Sequence, residues 1–161
     1  MNMKLVKLLN EQMNKEYYSA YFYLALGAKV NILGFKGAAH WLFLQAKEEL
    51  THGDLFYKFL LEKNEDIKFS QINAVEVNID SYQSLFEQIL KHEKFVTDCI
   101  NKIADLCLDA KEHSVYQFIM WFVKEQVEEE SGVCDILDKI KLANECKNML
   151  LIIDNELLGR K

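Results

Sequence analysis

Four glutamates and one histidine are the residues of this sequence whose types and spacing can do chemistry. A seven-residue step along a helix returns to nearly the same face. On that step Glu16 lies between Leu9 and Tyr23, Glu49 between Leu42 and Phe56, Glu93 between Phe86 and Ile100, and Glu129 between Phe122 and Ile136. Each acid therefore interrupts an apolar stripe. Four inward carboxylates in a dry core repel one another and cost several kcal/mol apiece in desolvation. No Lys or Arg lies on those stripes, so protons or bound cations must relieve the charge. His52 follows Glu49 by three residues, and Glu49-Leu50-Thr51-His52 projects carboxylate and imidazole from one helical face, a spacing suited to chelation.

A single Glu-x-x-His arises by chance on many helices. The bland alternative, acids at helix edges in water, requires all four stripes to be misread. An oxygen-rich set with one imidazole favours Fe(II), Mn(II) or Zn(II) over copper or iron–sulfur chemistry, and spacing does not choose among the three. Tyr23 shares the Glu16 stripe; it is either a hydrogen-bond partner of a ligand carboxylate and nearby electron donor, or a core aromatic with a satisfied hydroxyl. His40, His92 and His113 lie off the ligand stripes and read as surface or packing residues.

Long helices must position these groups. Apolar residues recur every three or four positions from Leu5 to Ile32, Phe35 to Leu61, Tyr82 to Leu108 and Val115 to Leu142, which predicts four amphipathic helices and an all-α fold. Asn31-Ile32-Leu33-Gly34, with Gly37 just beyond, separates the first pair, and a polar turn around Asp109 to His113 separates the second. Both pairs are expected to be antiparallel hairpins. Glu16 stands 18 residues before Gly34 and Glu49 stands 15 after it, while Glu93 and Glu129 stand 19 before and 17 after Glu112, so the four acids share one layer. That count leaves the direction of the third helix open, because a site at mid-helix lines up either way.

Residues 64–80 hold no sustained helical period. Seventeen extended residues reach about 56 Å and a helix of roughly 28 residues is about 42 Å long, so this linker is able to cross from one end of the bundle to the other. Ser81 is the expected N-cap of the third helix, with Asp80 competing. A shorter apolar segment, Met149 to Leu158, is expected to form a fifth helix outside the bundle.

The totals agree with long helices: among 161 residues half are apolar and none is proline. Nineteen basic against 25 acidic residues give a net charge of −6, with no basic stripe for phosphates, so nucleic acid is not an expected partner. No run of about 18 apolar residues and no leader pattern point to a membrane or to secretion. Cys99, Cys107, Cys134 and Cys146 show neither CxxC pairing nor the density of a disulfide-stapled domain, and they lie outside the carboxylate layer; a cytoplasmic location is expected.

One Glu from each of two helices, with a Glu-x-x-His from each of the other two, is the ligand pattern of di-iron carboxylate bundles. Half of it is complete here, and the fourth helix has Gln126-Val127-Glu128-Glu129 in place of the second motif. Asn10-Glu11-Gln12-Met13-Asn14-x-Glu16, Gln45-Ala46-Lys47-Glu48-Glu49-Leu50-Thr51-His52, His92-Glu93 and Glu125-Gln126-Val127-Glu128-Glu129-Glu130 resemble prokaryotic non-haem ferritins, almost end to end. The resemblance implies a single ferritin-like domain over 1–161, with the bundle at about 3–142, a long crossover between helices two and three, and a short C-terminal helix at about 145–157.

It also implies a ferroxidase centre for iron, Fe(II) to Fe(III): Glu16, Glu49 and His52 on the first ion, Glu49 bridging to a second held by Glu93 and Glu129, and Gln126 beside the second. Glu48, Glu125, Glu128 and Glu129 match a third nearby iron site, although a run such as Glu128 to Glu130 is commonly a solvated face. The implied oxidant is dioxygen or peroxide, and the implied assembly a hollow shell of 24 subunits. Leu50 occupies the place of the haem-ligating methionine of bacterioferritins, so no haem is expected. Mini-ferritins, with a site between subunits and no fifth helix, match less well. Two readings compete: a ferritin-like di-metal oxidase or peroxidase with an organic or peroxide substrate, for which no inserted pocket or CxxC pair is found, and an inert helical shell, which predicts loss of one of the five ligands.

Overall fold

Five helices and no strand make up the computed structural model, which describes all of residues 1–161: α1 (Met3–Ile32), α2 (Lys36–Glu62), α3 (Tyr82–Asp109), α4 (His113–Ala143) and α5 (Lys147–Leu157). The bounds lie within a few residues of the sequence expectation. None of the helices is long and apolar enough to cross a membrane.

Local chemistry sets the ends. The Asn2 side chain accepts from Lys4 N at 2.9 Å and starts α1. Gly34, at φ +96°, takes the left-handed step that turns α1 into α2. Ser81, not Asp80, caps α3: its hydroxyl accepts from Ser84 N at 3.0 Å while Ser84 Oγ accepts from Ser81 N at 2.9 Å, a reciprocal box. Asn144, at φ 46°, ends α4.

The apolar stripes pack into two clusters, one at each end of the bundle. One joins Leu5, Leu9 and Met13 of α1 to Phe56 and Leu60 of α2, Val96 to Cys107 of α3 and Val115 to Phe122 of α4. The other joins Tyr23 to Val30, Ala38 to Ala46, Tyr82 to Ile89 and Val133 to Ala143. Hence α1 and α4 run from the first cluster to the second, and α2 and α3 both run back. Two consecutive helices that point the same way require the intervening chain to traverse the bundle, so the crossover is present.

The crossover is pinned along α1. Asn10 Nδ2 donates to Asp66 O at 3.0 Å and Asn10 Oδ1 accepts from Lys68 N at 2.7 Å; one turn on, Asn14 Nδ2 donates to Lys68 O and Asn14 Oδ1 accepts from Ser70 N, both at 2.7 Å. Two asparagine amides thus act as a strand edge for extended backbone that has no sheet. Ile67 packs on the first cluster, and Val77 and Ile79 on the second.

Helix α5 lies outside the bundle against α2 and α4. Its buried Asp154 accepts from Gly37 N at 2.9 Å, Ala38 N at 2.8 Å and the Tyr82 hydroxyl at 3.1 Å. Phe35, at the N-cap of α2, makes no side-chain cap bond, so Asp154 caps α2 from another helix. Gly37, which reads in the sequence as part of the turn, is instead a contact point: a Cβ there would lie 1.5 Å from Asp154 O.

Candidate metal centre

Between the two apolar clusters, where neither provides a side chain, lies the layer of acids. Glu16, Glu49 and Glu93 are 1 %, 2 % and 0 % exposed, His52 is buried, and Glu129 is half-buried. Four helices supply them, as the stripes predict. Single ligand atoms of Glu16, Glu49 and His52 lie within 4.8 Å of one another, and the same holds for Glu48, His52, Glu125 and Glu129. His52 belongs to both groups, with Nδ1 3.4 Å from Glu49 Oε2 and its ring edge-on to Trp121 and Phe122. Glu93 stands beside these groups, held by two donors: the Tyr23 hydroxyl, and Gln126 Nε2 at 3.1 Å from its Oε2.

Electrostatics follow from this burial. Desolvation, then the charge of Glu49, holds Glu16 well above the usual carboxylate range. Glu49 is raised in the same way, by burial and then by Glu93. Burial also raises Glu93, against the opposing hydrogen bonds of Tyr23 and Gln126. Glu129 is pushed up to about 8 by burial, with Glu93 and Glu48 adding to it. Buried Tyr23 is held well above its ordinary value and stays a hydroxyl, able to donate to Glu93. Burial thus favours protons on Glu16, Glu49 and Glu129 at neutral pH unless a cation replaces them. A donor set of hard anionic oxygens with one imidazole fits a pair of first-row divalent ions such as Fe(II).

The remaining predicted residues divide. Glu48 and Glu125 converge on His52 and Glu129 along one side of a cavity of about 440 Å³. Glu128 faces solvent and pairs with Lys124 at 3.3 Å, away from that group. Glu130 accepts from Thr97 Oγ1 at 2.6 Å, and Thr97 is 3.3 Å from Gln126 Nε2, so it joins the Gln126–Glu93 network. His92 packs in the interior 2.8 Å from Ser19 Oγ, and burial lowers it to about 4; His40 is half-buried and His113 exposed. The four cysteines are free thiols outside the layer.

Three supporting residues received no role from the sequence. Gln12 donates to Glu16 Oε1 at 2.7 Å, and Gln45 donates to Glu129 Oε2 at 2.6 Å. Both stand four residues before a glutamate of the buried layer, Glu16 and Glu49, a same-face spacing that was available as a signal. The third is Arg160, whose guanidinium reaches Gln45 and Glu48 from beyond α5. No periodicity links it to the bundle.

Comparison with known proteins agrees with this geometry. The family described as Ferritin: Ferritin-like domain matches residues 6–143. The chain is 37 % identical over 162 aligned positions to the bacterial non-heme ferritin of Campylobacter jejuni, covering 98 % of this chain and 97 % of that one. It is 35 % identical over 157 positions to that of Escherichia coli, covering 96 % and 93 %. The crystal structure of an open pore ferritin from the archaeon Archaeoglobus fulgidus superposes with a TM-score of 0.98 at 35 % identity, covering 100 % of this chain and 99 % of the other.

Proposed function

The chain belongs to the family of bacterial non-heme ferritins, proteins of iron storage, and on that premise we propose that it oxidises Fe(II) at the Glu16–Glu49–His52–Glu93–Glu129 centre and stores the ferric product in a hollow homo-oligomeric shell. The observation that carries this reading is the set of acids from four helices, raised by burial and then by one another's charge, around one imidazole. Glu16, Glu49 and His52 take one ferrous ion, and Glu49 is shared with a second held by Glu93 and Glu129. Two divalent cations replace the protons that the acids hold at neutral pH.

Each ferrous ion gives one electron to the oxidant, dioxygen or peroxide, and the anionic oxygens stabilise the more highly charged ferric product. Gln12, Gln45 and Gln126 fix the ligand carboxylates by donating to Glu16, Glu129 and Glu93, so little reorientation accompanies the change in charge. Tyr23 holds Glu93 in the same way and stands as the nearest oxidisable side chain of that carboxylate. Glu48, Glu125 and Glu129 form a third iron position, while Glu128 stays with Lys124 in solvent.

A further copy of the chain suits the outward face of α5, where Met149, Leu151 and Ile152 are exposed while only Ile153 and Asp154 are buried, and a shell of 24 subunits in a reducing cytoplasm is the assembly proposed. Anaerobic Fe(II) loading followed by air should give a fast oxidation phase that saturates at about two irons per subunit, as a two-metal centre requires. Glu49→Ala and His52→Ala should abolish that phase. Equal rates in wild type and variants would overturn the assigned centre, and size-exclusion chromatography tests the shell separately.

A further inference from the structure

Arg160 is the sole arginine of the sequence, and its guanidinium reaches one side of the acid cluster through Gln45 and Glu48. It follows α5, which ends at Leu157. Its Nη1 donates to Gln45 Oε1 and its Nη2 to Glu48 Oε2, both at 2.6 Å. The guanidinium lies 4.8 Å from the ring centre of Trp41, and Arg160 O is 2.9 Å from His40 Nε2. Four contacts from backbone and side chain hold this residue, unlike a lone surface pair.

The orientation of Gln45 follows from it. A guanidinium offers only donors, so the Gln45 amide must turn its oxygen to Arg160 and its nitrogen to Glu129. Arg160 thereby engages two of the four members of the outer Glu48–His52–Glu125–Glu129 group: Glu48 directly, and Glu129 through one amide. The inner group has no such partner, since Glu16 is met by the neutral amide of Gln12 and Glu49 by His52.

We propose that Arg160 is a tethered cation that neutralises the outer group while it is metal-free and is displaced when a divalent ion binds there, so that the segment after α5 sets the threshold at which the outer group fills relative to the inner one. This rests on the reading of the outer group as a third metal position. Arg160 occupies Glu48 Oε2, so a metal that takes this carboxylate competes with a positive charge already held in place. Filling is ordered as a result: inner group first, outer group only after the guanidinium leaves.

Zn(II), which is redox-inert, is the probe. Calorimetric titration of the assembled wild-type protein should resolve tight inner binding and a weaker step that Glu48→Gln removes. Arg160→Gln, which keeps a hydrogen-bond donor but not the charge, should tighten that weaker step about fivefold, as roughly 1 kcal/mol for a partly exposed pair converts at 1.4 kcal/mol per decade, and leave the step at Glu16 and Glu49 unchanged. Arg160→Lys should fall between the two, and adding Arg160→Gln to Glu48→Gln should change nothing further.

Because there is one arginine, protein labelled with 13C at the arginine guanidinium gives one signal to follow. That signal should move only after the inner sites are saturated. A Glu48-dependent step that is indifferent to or weakened by Arg160→Gln, or a guanidinium signal that never moves, would overturn the proposal alone. No Glu48-dependent step at all would remove the outer site, and this proposal with it, while leaving the two-metal reading intact.

Discussion

Glu93 illustrates how single contacts decide the chemistry of the centre. Its carboxylate is wholly buried, yet two donors, Tyr23 and Gln126, favour its charged form against desolvation. Removing the phenolic oxygen in Tyr23→Phe deletes one charge-assisted bond, worth about 1.5–3 kcal/mol, without removing core volume. The Glu93 carboxyl should then rise further, and a metal must displace a more firmly held proton. Zn(II) affinity at pH 7 is expected to fall about tenfold or more, with the deficit shrinking as pH rises toward 9 and the proton ceases to compete. An affinity equal to wild type at both pH values would show that Tyr23 does not support the ligand. At this scale the clustering of Glu16, Glu49, Glu93 and Glu129 was legible, because a buried acid leaves a mark in an apolar stripe, and His52 followed from its spacing to Glu49. The amides of Gln12 and Gln45 were less so, since a glutamine on a helix face is equally at home in water, and Arg160 was not, since only the docking of α5 brings it near.

At the scale of elements, Asp154 is a buried polar anchor of α5 on the bundle, beside the packing of Ile153. Gly37 N and Ala38 N belong to the first turn of α2 and have no partner within that helix, so the carboxylate completes α2 and anchors α5 together. Asp154→Ala should cost about 2 kcal/mol, the range for a lost cap and buried acceptor, or about 4–8 °C in melting temperature for a chain of this length. Hydrogen exchange should show protection lost from α5 and the start of α2 while the mid-bundle segments of α1 and α3 stay protected. Gly37→Ala should give the same pattern, because the added Cβ meets Asp154 backbone, which has little room to yield. Uniform loss of protection in both variants would mean that α5 is part of the core and not an appended element.

Existence and extent of the helices were readable from periodicity and from Ser81. The parallel run of α2 and α3 was readable from the reach of the 17-residue linker and from the family resemblance but not from the acid layer, because a layer at mid-helix is symmetric under reversal of α3. The pairing of Asn10 and Asn14 with the backbone of residues 66–70 pins the crossing along α1, and nothing in two asparagines one turn apart distinguishes a backbone clamp from a polar face.

For the whole molecule, a layer of protonated acids between two apolar clusters ties stability to pH and to metal. Glu16, Glu49, Glu93 and Glu129 all have folded values above the ordinary 4.5, with Glu129 at about 8. Between pH 6.5 and 8 the unfolded chain has these carboxyls ionised, while the folded chain still holds protons on those raised furthest, Glu129 at about 8 among them. The native state therefore binds more protons, and its stability falls as pH rises, by about 1.4 kcal/mol per pH unit for each proton retained. His92 has the opposite sense: lowered to about 4, it contributes stability above 6.5 that is lost only as pH falls toward 4, so it is flat across this window. Tyr17 and Cys107, raised to about 12 and about 11, titrate above it.

Metal-free protein should thus unfold more readily at pH 8 than at pH 6.5 in denaturant titrations. Glu129→Gln should flatten part of that slope, since an amide has no proton to lose. Saturating Zn(II) should reverse its sign, because at higher pH fewer protons oppose the metal and binding stabilises the folded state by mass action. A metal-free protein no less stable at pH 8 than at 6.5 would mean that the acids are already solvated or paired. The layer would then have no need of a cation, and the reason for placing four glutamates between two apolar clusters would be gone.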